Sequence, residues 1–192
     1  QLKAAALACR AGVKRAHILS YSHDGALLEE LFTRDGVGTM VSVDDFDQIR
    51  PARFEDTNGI LELIRPLEEQ GFLVRRSREL LETELDYFLV EVRDNAIIAC
   101  VGLYPFPESQ AAELSCFAVD PAYRKKGRGD RLLEAITARA KTQNLSKLFV
   151  LTTKTEQWFK ERGFDSVSTD TLPGKKSYNS TRNAKVLMKS IL

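Results

Sequence analysis

The sequence predicts a mixed α/β (α+β) fold, in which a central sheet is covered by helices on both faces. From Gln48 onward, short apolar segments alternate with amphipathic ones at regular spacing, which is typical of strands and helices packed in layers. The chain has 192 residues, 43% of them hydrophobic. That length and composition suffice for one domain with a sizeable core and for part of a second domain.

The first 45 residues indicate a separate and incomplete unit. Its predicted elements are a helix at residues 4–9, a strand at 16–19 and a helix at 26–32. Two helices and one strand cannot close a hydrophobic core, so we interpret residues 1–45 as the end of a neighbouring domain, with a polar linker at 42–47. The second domain covers residues 46–192. Because the chain starts at Gln1 without a methionine, we expect a fragment or a processed form.

Periodicity and turn signals predict the elements of the second domain. Apolar residues that recur every three or four positions indicate helices, and apolar runs between turn residues indicate strands. Ser77 is a favourable N-cap, and the Asp-Asn pair at 94–95 predicts a tight hairpin turn. Pro66 should end or kink the first helix, and Pro105 should stop a strand. The predicted helices are at residues 60–67, 77–85, 129–141 and 155–161, and the predicted strands are at 87–92, 97–103, 111–119, 147–151 and 186–192.

Composition and charge narrow the function classes. The 28 basic and 27 acidic residues give a formal net charge of +1, so nothing indicates a partner bound by overall charge, such as nucleic acid or a membrane. No apolar run approaches the roughly 18 residues of a membrane span, and no signal peptide is visible. Cys9, Cys100 and Cys116 lie in apolar segments and show no metal-ligand spacing with His17 or His23. We therefore expect a cytoplasmic protein without a metal site.

The most informative stretch covers residues 113–133. An apolar strand leads into a turn and ends at the start of an amphipathic helix, with Arg124, Gly127 and Gly129 at the junction. Backbone amides at a helix start carry partial positive charge, so they can hold a pyrophosphate where glycines allow close approach. The pattern Arg-x-x-Gly-x-Gly is, on its own, equally compatible with an ordinary strand-to-helix turn that has a basic surface.

Longer motifs resemble the GCN5-related N-acetyltransferase family. The run VDPAYRKKGRG, then an amphipathic helix, a strand and WFKERGF have that family's order, and the resemblance covers residues 46–192. Six blocks are similar to the C-terminal domain of one branch, the bacterial N-acetylglutamate synthases: IRPLEEQG, VRRSRE, LYPFPE, KLFVLTT, WFKERGF and LPGKKSYNSTRN. The stretches AHILSY and DGALLEELFTRDGVGTMV resemble the end of the amino-acid-kinase domain that precedes it in those enzymes.

The resemblance implies a fold, a reaction and partners. The fold is that of the GCN5-related N-acetyltransferases, and acetyl-CoA is the co-substrate, with no metal. The reaction is acetylation of the α-amine of L-glutamate, the first step of arginine synthesis. Related full-length enzymes assemble through both of their domains, so a homo-oligomer is one possible state of this chain. The sequence leaves open the oligomeric state, arginine feedback and the identity of the general acid.

Acetyl transfer needs an unprotonated amine and a proton for the departing thiolate. Glu113 is the candidate general base, since the resemblance assigns that role here and burial among apolar neighbours would strengthen it as a base; a solvated carboxylate on an edge strand is the alternative. Many family members have a tyrosine where this chain has Phe159, which has no proton to give. Thr152 matches a serine that some synthases are thought to use as the acid, although a hydroxyl at a strand end can equally satisfy backbone groups.

The resemblance also assigns binding residues. Arg76 and Arg182 match a pair that holds glutamate, and arginine suits a carboxylate because it makes two parallel hydrogen bonds. Lys176 lies in a basic segment that could assist or could be only an exposed loop. The candidate cofactor contacts all lie in the strand, the loop and the helix start: Cys116 (through its backbone, with an inert thiol), Phe117, Val119, Arg124, Lys125, Lys126, Gly127, Gly129 and Asp130.

Two other functions stay open. A related acetyltransferase could act on another amine, such as a lysine side chain or a polyamine, and an acidic substrate tunnel would favour that reading. A non-catalytic acetyl-CoA-binding module would be compatible with Phe159 and with the incomplete first domain.

Overall fold

A computed structural model of the chain describes residues 1–33, 36–43, 47–124, 127–174 and 183–192. The chain divides into two compact units, Gln1–Gln48 and Ile49–Leu192. The interpretation of the first unit as the end of an amino-acid-kinase-like domain stays a prediction.

The first unit contains two helices and one two-stranded sheet. Its elements are α1 (Leu2–Arg10), β1 (Arg15–Ile18), α2 (Ala26–Phe32) and β2 (Thr39–Ser42), and the two strands pair in antiparallel orientation. Glu30 organises the loop before β2, because its carboxylate accepts the backbone N–H groups of Val37 and Gly38 at 2.8 and 2.7 Å and also contacts the ring of His17. The helices and β1 follow the predictions, whereas β2 was not predicted because glycines interrupt the apolar run before it.

A seven-stranded mixed sheet forms the centre of the second unit. The strand order is β3, β4, β5, β6, β7, β9, β8. The strands β6 and β7 run parallel, and the pairs β4–β5, β5–β6, β7–β9 and β8–β9 are antiparallel. The strand bounds are Asp47–Pro51 (β3), Phe88–Arg93 (β4), Ala96–Phe106 (β5), Ala111–Val119 (β6), Lys147–Thr152 (β7), Asp165–Ser166 (β8) and Lys185–Ser190 (β9).

Helices cover both faces of this sheet, as predicted. Alternate residues of a strand face opposite sides, and they divide into two buried clusters. One cluster packs α5 (Arg128–Thr142) through residues such as Ile136 against Leu114 and Leu148. The other packs α3 (Thr57–Glu69) and α4 (Arg78–Glu84) through Ile60 and Leu81 against strand residues of the opposite face. The short helix α6 (Glu156–Lys160) follows β7.

Local turn and cap signals behave as predicted. The hairpin between β4 and β5 turns at Asp94 and Asn95, whose φ angles of 46° and 61° are those of a type I′ turn. Ser77 caps α4, since its hydroxyl accepts the backbone N–H of Leu80 at 3.2 Å.

Neither proline ends its element. Pro66 lies inside α3, which continues for one more turn to Glu69, and the predicted kink stays a prediction. Pro105 stays within β5, opposite Ala112 of β6. The pairing of β4 with β5 reaches only Gly102, so Pro105 has a strand neighbour on one side alone, where a missing amide is tolerated.

Candidate active site

A cleft opens where β6 and β7 separate. The two strands pair from Ala111 opposite Lys147 to Leu114 opposite Val150, and beyond that pair they diverge. The space between them is a cleft of about 1210 Å³, lined also by the α3–α4 loop, α4 and the first turns of α5 and α6. Every described residue that was predicted for the site lines this one cleft: Arg76, Glu113, Cys116, Phe117, Val119, Arg124, Gly127, Gly129, Asp130 and Thr152. Lys125, Lys126, Lys176 and Arg182 lie outside the described residues.

The strand β6 is distorted at the point of divergence. Its register against β5 shifts between Cys100 and Gly102, and Cys116 has a φ of 50°, a left-handed conformation that is uncommon for a residue with a side chain. This bulge follows directly after Leu114, the last residue of β6 that pairs with β7. Burial raises the pKa of the Cys116 thiol, and the contact with Arg76 opposes that rise; the inert thiol stays a prediction.

One side of the cleft, which we call the α4 wall, consists of Arg76, Glu84, Tyr104, Glu113 and Ser115. Arg76 directly precedes the cap of α4, and its side chain is largely buried. Its Nε donates to the Cys116 sulfur and its Nη2 to the Ser115 hydroxyl, both at 3.0 Å, and its Nη1 donates to the Glu84 carboxylate. The guanidinium is therefore fixed against the sheet.

Tyr104 completes this arrangement. Its hydroxyl donates to the same Glu84 oxygen at 2.6 Å, and its ring centre lies 5.2 Å from the guanidinium carbon of Arg76. Burial, together with the hydrogen bond to Glu84, raises the pKa of Tyr104 well above its ordinary value. The phenol therefore remains a protonated donor.

Glu113 lies in the middle of the sheet and not at an edge. It faces Tyr104 of β5 in the antiparallel register and Phe149 of β7 in the parallel one. Only 8% of the residue is exposed, so the alternative of a solvated carboxylate on an edge strand is wrong. Residues directly opposite on antiparallel strands share a face, which places Glu113 on the same face as Tyr104.

Thr152 is the last residue of β7 and is buried. Its hydroxyl accepts the backbone N–H of Thr155 at 3.0 Å and shares a hydrogen bond of 2.7 Å with the Thr155 hydroxyl. The structure thus contains the hydrogen bond to the backbone that one of the two interpretations of Thr152 requires. The other interpretation, that Thr152 is a proton donor, stays a prediction.

The opposite side, which we call the α5 wall, consists of Arg124, Gly127, Arg128, Gly129 and Asp130. Gly127 is the cap of α5 with a φ of 71°, and a Cβ atom there would meet nothing within 4 Å. The left-handed conformation explains why this residue is a glycine, and the missing side chain leaves space at the helix start. Arg124 donates from Nε to the carbonyl of Val119 at 3.1 Å.

Gly129 also has a packing role, and its predicted contact with the phosphates stays a prediction. A Cβ atom at this position would lie 2.8 Å from the Trp158 ring. The ring fills the space that a side chain would need, so the packing of α5 on α6 requires this glycine, whatever phosphate approaches the helix. Trp158 in turn contacts Phe117 at a tilt and Phe159 edge-to-face, in an aromatic cluster on this wall.

Asp130 and Arg162 form an ion pair at the edge of this wall. The Asp130 carboxylate accepts from two guanidinium nitrogens of Arg162, and this hydrogen bonding lowers the pKa of Asp130. The same guanidinium lies 3.9 Å above the Trp158 ring. The predicted contact of Asp130 with a cofactor stays a prediction.

Sequence reasoning missed three parts of the site. Glu84 and Ser115 hold Arg76, although no motif marks either residue. Arg128 is buried and donates from Nη1 to Glu91 of β4 at 2.7 Å, which ties the first turn of α5 to the sheet. For the pair of Arg128 and Glu91, the sequence signal was a glutamate, Glu91, within an apolar predicted strand.

In the described parts of the chain, no three side chains of His, Cys, Asp or Glu gather in a group that could hold a metal ion. None of the helices in those parts combines the length and the apolar character that crossing a membrane requires.

Comparison with known proteins places the chain in a family. Residues 57–172 match the family model described as the acetyltransferase (GNAT) family. The chain belongs to this family. The predicted GNAT fold, with its mixed sheet between helices, is thereby confirmed.

The chain is similar to longer GNAT proteins. The amino-acid acetyltransferase of Pseudomonas paraeruginosa is 57% identical over 192 residues, which cover 99% of this chain and 44% of that protein. The chain thus spans less than half the length of the curated relatives it matches.

Two solved structures of N-acetylglutamate synthase from Neisseria gonorrhoeae are also similar. One, complexed with coenzyme A and N-acetyl-glutamate, has 42% identity and a TM-score of 0.74 over 100% of this chain and 46% of that chain. The other, complexed with coenzyme A and L-arginine, has 38% identity and a TM-score of 0.83 over 98% and 43%. The predicted resemblance to N-acetylglutamate synthases is confirmed.

Proposed function

We propose that this chain is the catalytic part of an acetyl-CoA-dependent N-acetyltransferase that acetylates the α-amine of L-glutamate, the reaction that opens arginine synthesis. The observation that carries the proposal is the α4 wall: a buried carboxylate, Glu113, shares a cleft and a sheet face with the cluster around a fixed arginine, Arg76. Similarity to synthases that bind coenzyme A and N-acetyl-glutamate supports it.

The α5 wall suits the pyrophosphate of acetyl-CoA. The helix α5 presents its N-terminal amides beside the open space at Gly127, and such amides favour an anion. Arg124 stands at the same place, and Lys125 and Lys126 are expected to add positive charge. In this proposal the thioester end of acetyl-CoA reaches the gap between β6 and β7.

The side chains at that gap supply the proton transfers. Glu113 takes one proton from the α-ammonium group, and the amine nitrogen then forms a bond to the thioester carbonyl carbon. The carbon–sulfur bond breaks, and the thiolate takes a proton from the Thr152 hydroxyl, which is shared with Thr155. Thr152 regains its proton from the nitrogen, and Glu113 later releases its own to water. The products are N-acetyl-L-glutamate and coenzyme A.

Cationic side chains select the substrate. A dicarboxylate needs groups that match the planar geometry of its carboxylates, and Arg76 provides one such group on the α4 wall. Arg182 and Lys176 are expected to provide others.

A panel of amines tests the proposal. Release of coenzyme A thiol is measured for the chain with acetyl-CoA and L-glutamate, L-glutamine, L-lysine or a polyamine, and we expect a clear preference for L-glutamate. Glu113→Gln should lower kcat by about 100-fold or more with acetyl-CoA binding retained. Glu134→Gln, at an exposed position on α5, is the matched control.

Other results would point to the alternatives. A preference for L-lysine or a polyamine would mean an acetyltransferase for another amine. Acetyl-CoA binding without turnover on any amine, in the wild type as in Glu113→Gln, would mean a non-catalytic binding module.

A further inference from the structure

Glu84 is a carboxylate in the cleft that the proposed reaction does not use. It is the last residue of α4, and its side chain is 20% exposed. One of its oxygens, Oε2, accepts hydrogen bonds both from Nη1 of Arg76 and from the hydroxyl of Tyr104, the latter at 2.6 Å. Two donors on one oxygen hold this carboxylate in a single position.

The bonds of Arg76 leave a defined part of its guanidinium for a ligand. An arginine has five N–H groups, and its partners within the described residues engage three of them. The Nε group donates to Cys116, Nη2 donates to Ser115, and Nη1 donates to Glu84. One N–H on each terminal nitrogen then has no partner among the described residues, and a pair of N–H groups is what a carboxylate needs for a bidentate grip.

The three acceptors around Arg76 are not equivalent. The thiol of Cys116 and the hydroxyl of Ser115 are neutral, whereas Glu84 is charged. Burying a guanidinium is costly unless it is paired with an opposite charge, so Glu84 contributes most to holding Arg76 in place. The raised pKa of Tyr104 keeps its phenol a donor to Glu84.

Glu84 also carries an electrostatic disadvantage for the proposed substrate. A carboxylate beside Arg76 repels any substrate carboxylate that binds the same arginine, so affinity by charge alone would not favour a glutamate at this position. Orientation would favour it, because a fixed guanidinium loses less side-chain entropy when a ligand binds.

The position of this cluster relative to the base suits a substrate that carries both groups. Tyr104 stands directly opposite Glu113 in the register of β5 and β6. Ser115 follows Glu113 by two residues on the same strand, a distance of about 7 Å. An amino acid can therefore present its amine to Glu113 while a carboxylate contacts Arg76.

We infer that Glu84 is a positioning residue, which fixes the guanidinium of Arg76 so that its two remaining N–H groups face a carboxylate of the substrate. The inference rests on the proposed acetylation of L-glutamate and adds the means by which the arginine is prepared for it. Glu84 acts through Arg76 and takes no part in proton transfer.

Glu84→Gln tests this role, because it removes the charge and keeps the shape. We expect the KM for L-glutamate to rise about tenfold, with kcat changed less than threefold and the KM for acetyl-CoA changed less than twofold. Glu82→Gln is the matched control: Glu82 lies on the same helix and pairs with Arg78 at 3.0 Å outside the cleft. That variant should leave all three constants unchanged.

Two outcomes for the KM for L-glutamate would contradict the expected rise. An unchanged KM for L-glutamate in Glu84→Gln overturns the inference, and a lower KM does so too, since it would mean that repulsion by Glu84 outweighs positioning. If Glu84→Gln does not fold, Tyr104→Phe decides, because it removes only the hydroxyl that holds Glu84. We expect a rise of about threefold in the KM for L-glutamate there, and no rise overturns the inference.

Calorimetric titration of L-glutamate into the coenzyme A complex separates this inference from the proposed function. A wild-type chain that neither acetylates nor binds L-glutamate contradicts both together. A wild-type chain that does so, with Glu84→Gln indistinguishable from it, contradicts the inference alone.

Discussion

The two walls of the cleft are built in different ways. The α5 wall comes from one short stretch of chain and depends on the backbone, through the left-handed Gly127 and the start of α5. The α4 wall draws Arg76, Glu84 and Tyr104 from three separate elements and depends on hydrogen bonds between side chains. A site made from backbone can be recognised from a local motif, whereas a site made from side chains becomes visible only once the sheet has brought them together.

The difference predicts that substitutions in the two walls affect different constants. Changes in the α4 wall should act on the amino-acid substrate, and changes in the α5 wall should act on the cofactor and on packing. Single substitutions in each wall test this division.

Arg76→Lys should have the largest effect. Lysine keeps the charge but has three donors on one nitrogen, so after contacts with Ser115 and Glu84 it has one donor left and cannot make two parallel hydrogen bonds to a substrate carboxylate. We expect kcat/KM for L-glutamate to fall about 100-fold, with the KM for acetyl-CoA within twofold of wild type. Steady-state kinetics with either substrate varied measures both, and Arg78→Lys, on the exposed face of α4, is the control. A large rise in the KM for acetyl-CoA would contradict the prediction that the α4 wall acts only on the amino-acid substrate.

Gly129→Ala should have a moderate effect, and on stability. The added methyl group would lie 2.8 Å from the Trp158 ring, so either α5 or the ring must move, at a cost of about 1–3 kcal/mol. We expect a lower Tm and a higher KM for acetyl-CoA, with the KM for L-glutamate little changed.

A double-mutant cycle checks the cause. Trp158→Leu in the same chain should reduce the cost of Gly129→Ala, because the smaller side chain leaves room. Gly174→Ala, where a Cβ atom meets nothing within 4 Å, is the control. If Gly129→Ala destabilises the chain equally in both backgrounds, contact with Trp158 is not the reason for the glycine.

Asp130→Asn should have the smallest effect, and it should depend on pH. Arg162 lowers the pKa of Asp130 in the folded state, so the pair stabilises the fold above the unfolded-state pKa and loses this contribution as the pH falls through the folded-state pKa. The pair is more than half exposed on the aspartate side, which limits the loss at pH 7 to about 0.5 kcal/mol.

Denaturant unfolding at several pH values measures this dependence. The difference in unfolding free energy between wild type and Asp130→Asn should shrink as the pH is lowered from 5 to 3. A difference that stays constant over that range would contradict the ion pair as its source.

Most of the second unit could be predicted from sequence, because its strands are apolar runs with clear limits. The strand β6 has the predicted bounds, residues 111–119, since turn residues flank it on both sides. The strand β3 was missed because its sequence DQIRP is polar and only half buried. Pro105 misled the prediction of β5, because the effect of a proline depends on whether a neighbouring strand needs its amide.

The candidate site also contains residues that could be predicted from sequence and residues that could not. Glu113, Arg76 and the loop to α5 could be predicted from motifs and resemblance. Glu84 could not, because its role depends on Tyr104, twenty residues later in the chain. The packing role of Gly129 could not be predicted either, because local sequence cannot show that a tryptophan from another helix occupies the space above it.

The buried pair of Arg128 and Glu91 has a consequence for the descent of this protein. Loss of Glu91 would leave the charge of Arg128 inside the fold, at a cost of about 3–5 kcal/mol, which is a large share of the stability of a typical domain. Loss of Arg128 would leave Glu91 with the half-exposed Arg131 at 3.6 Å as its cation. Drift at position 91 is therefore coupled to drift at position 128. Homologues that differ at one of these two positions should differ at both. An uncharged contact should then hold the start of α5 in place.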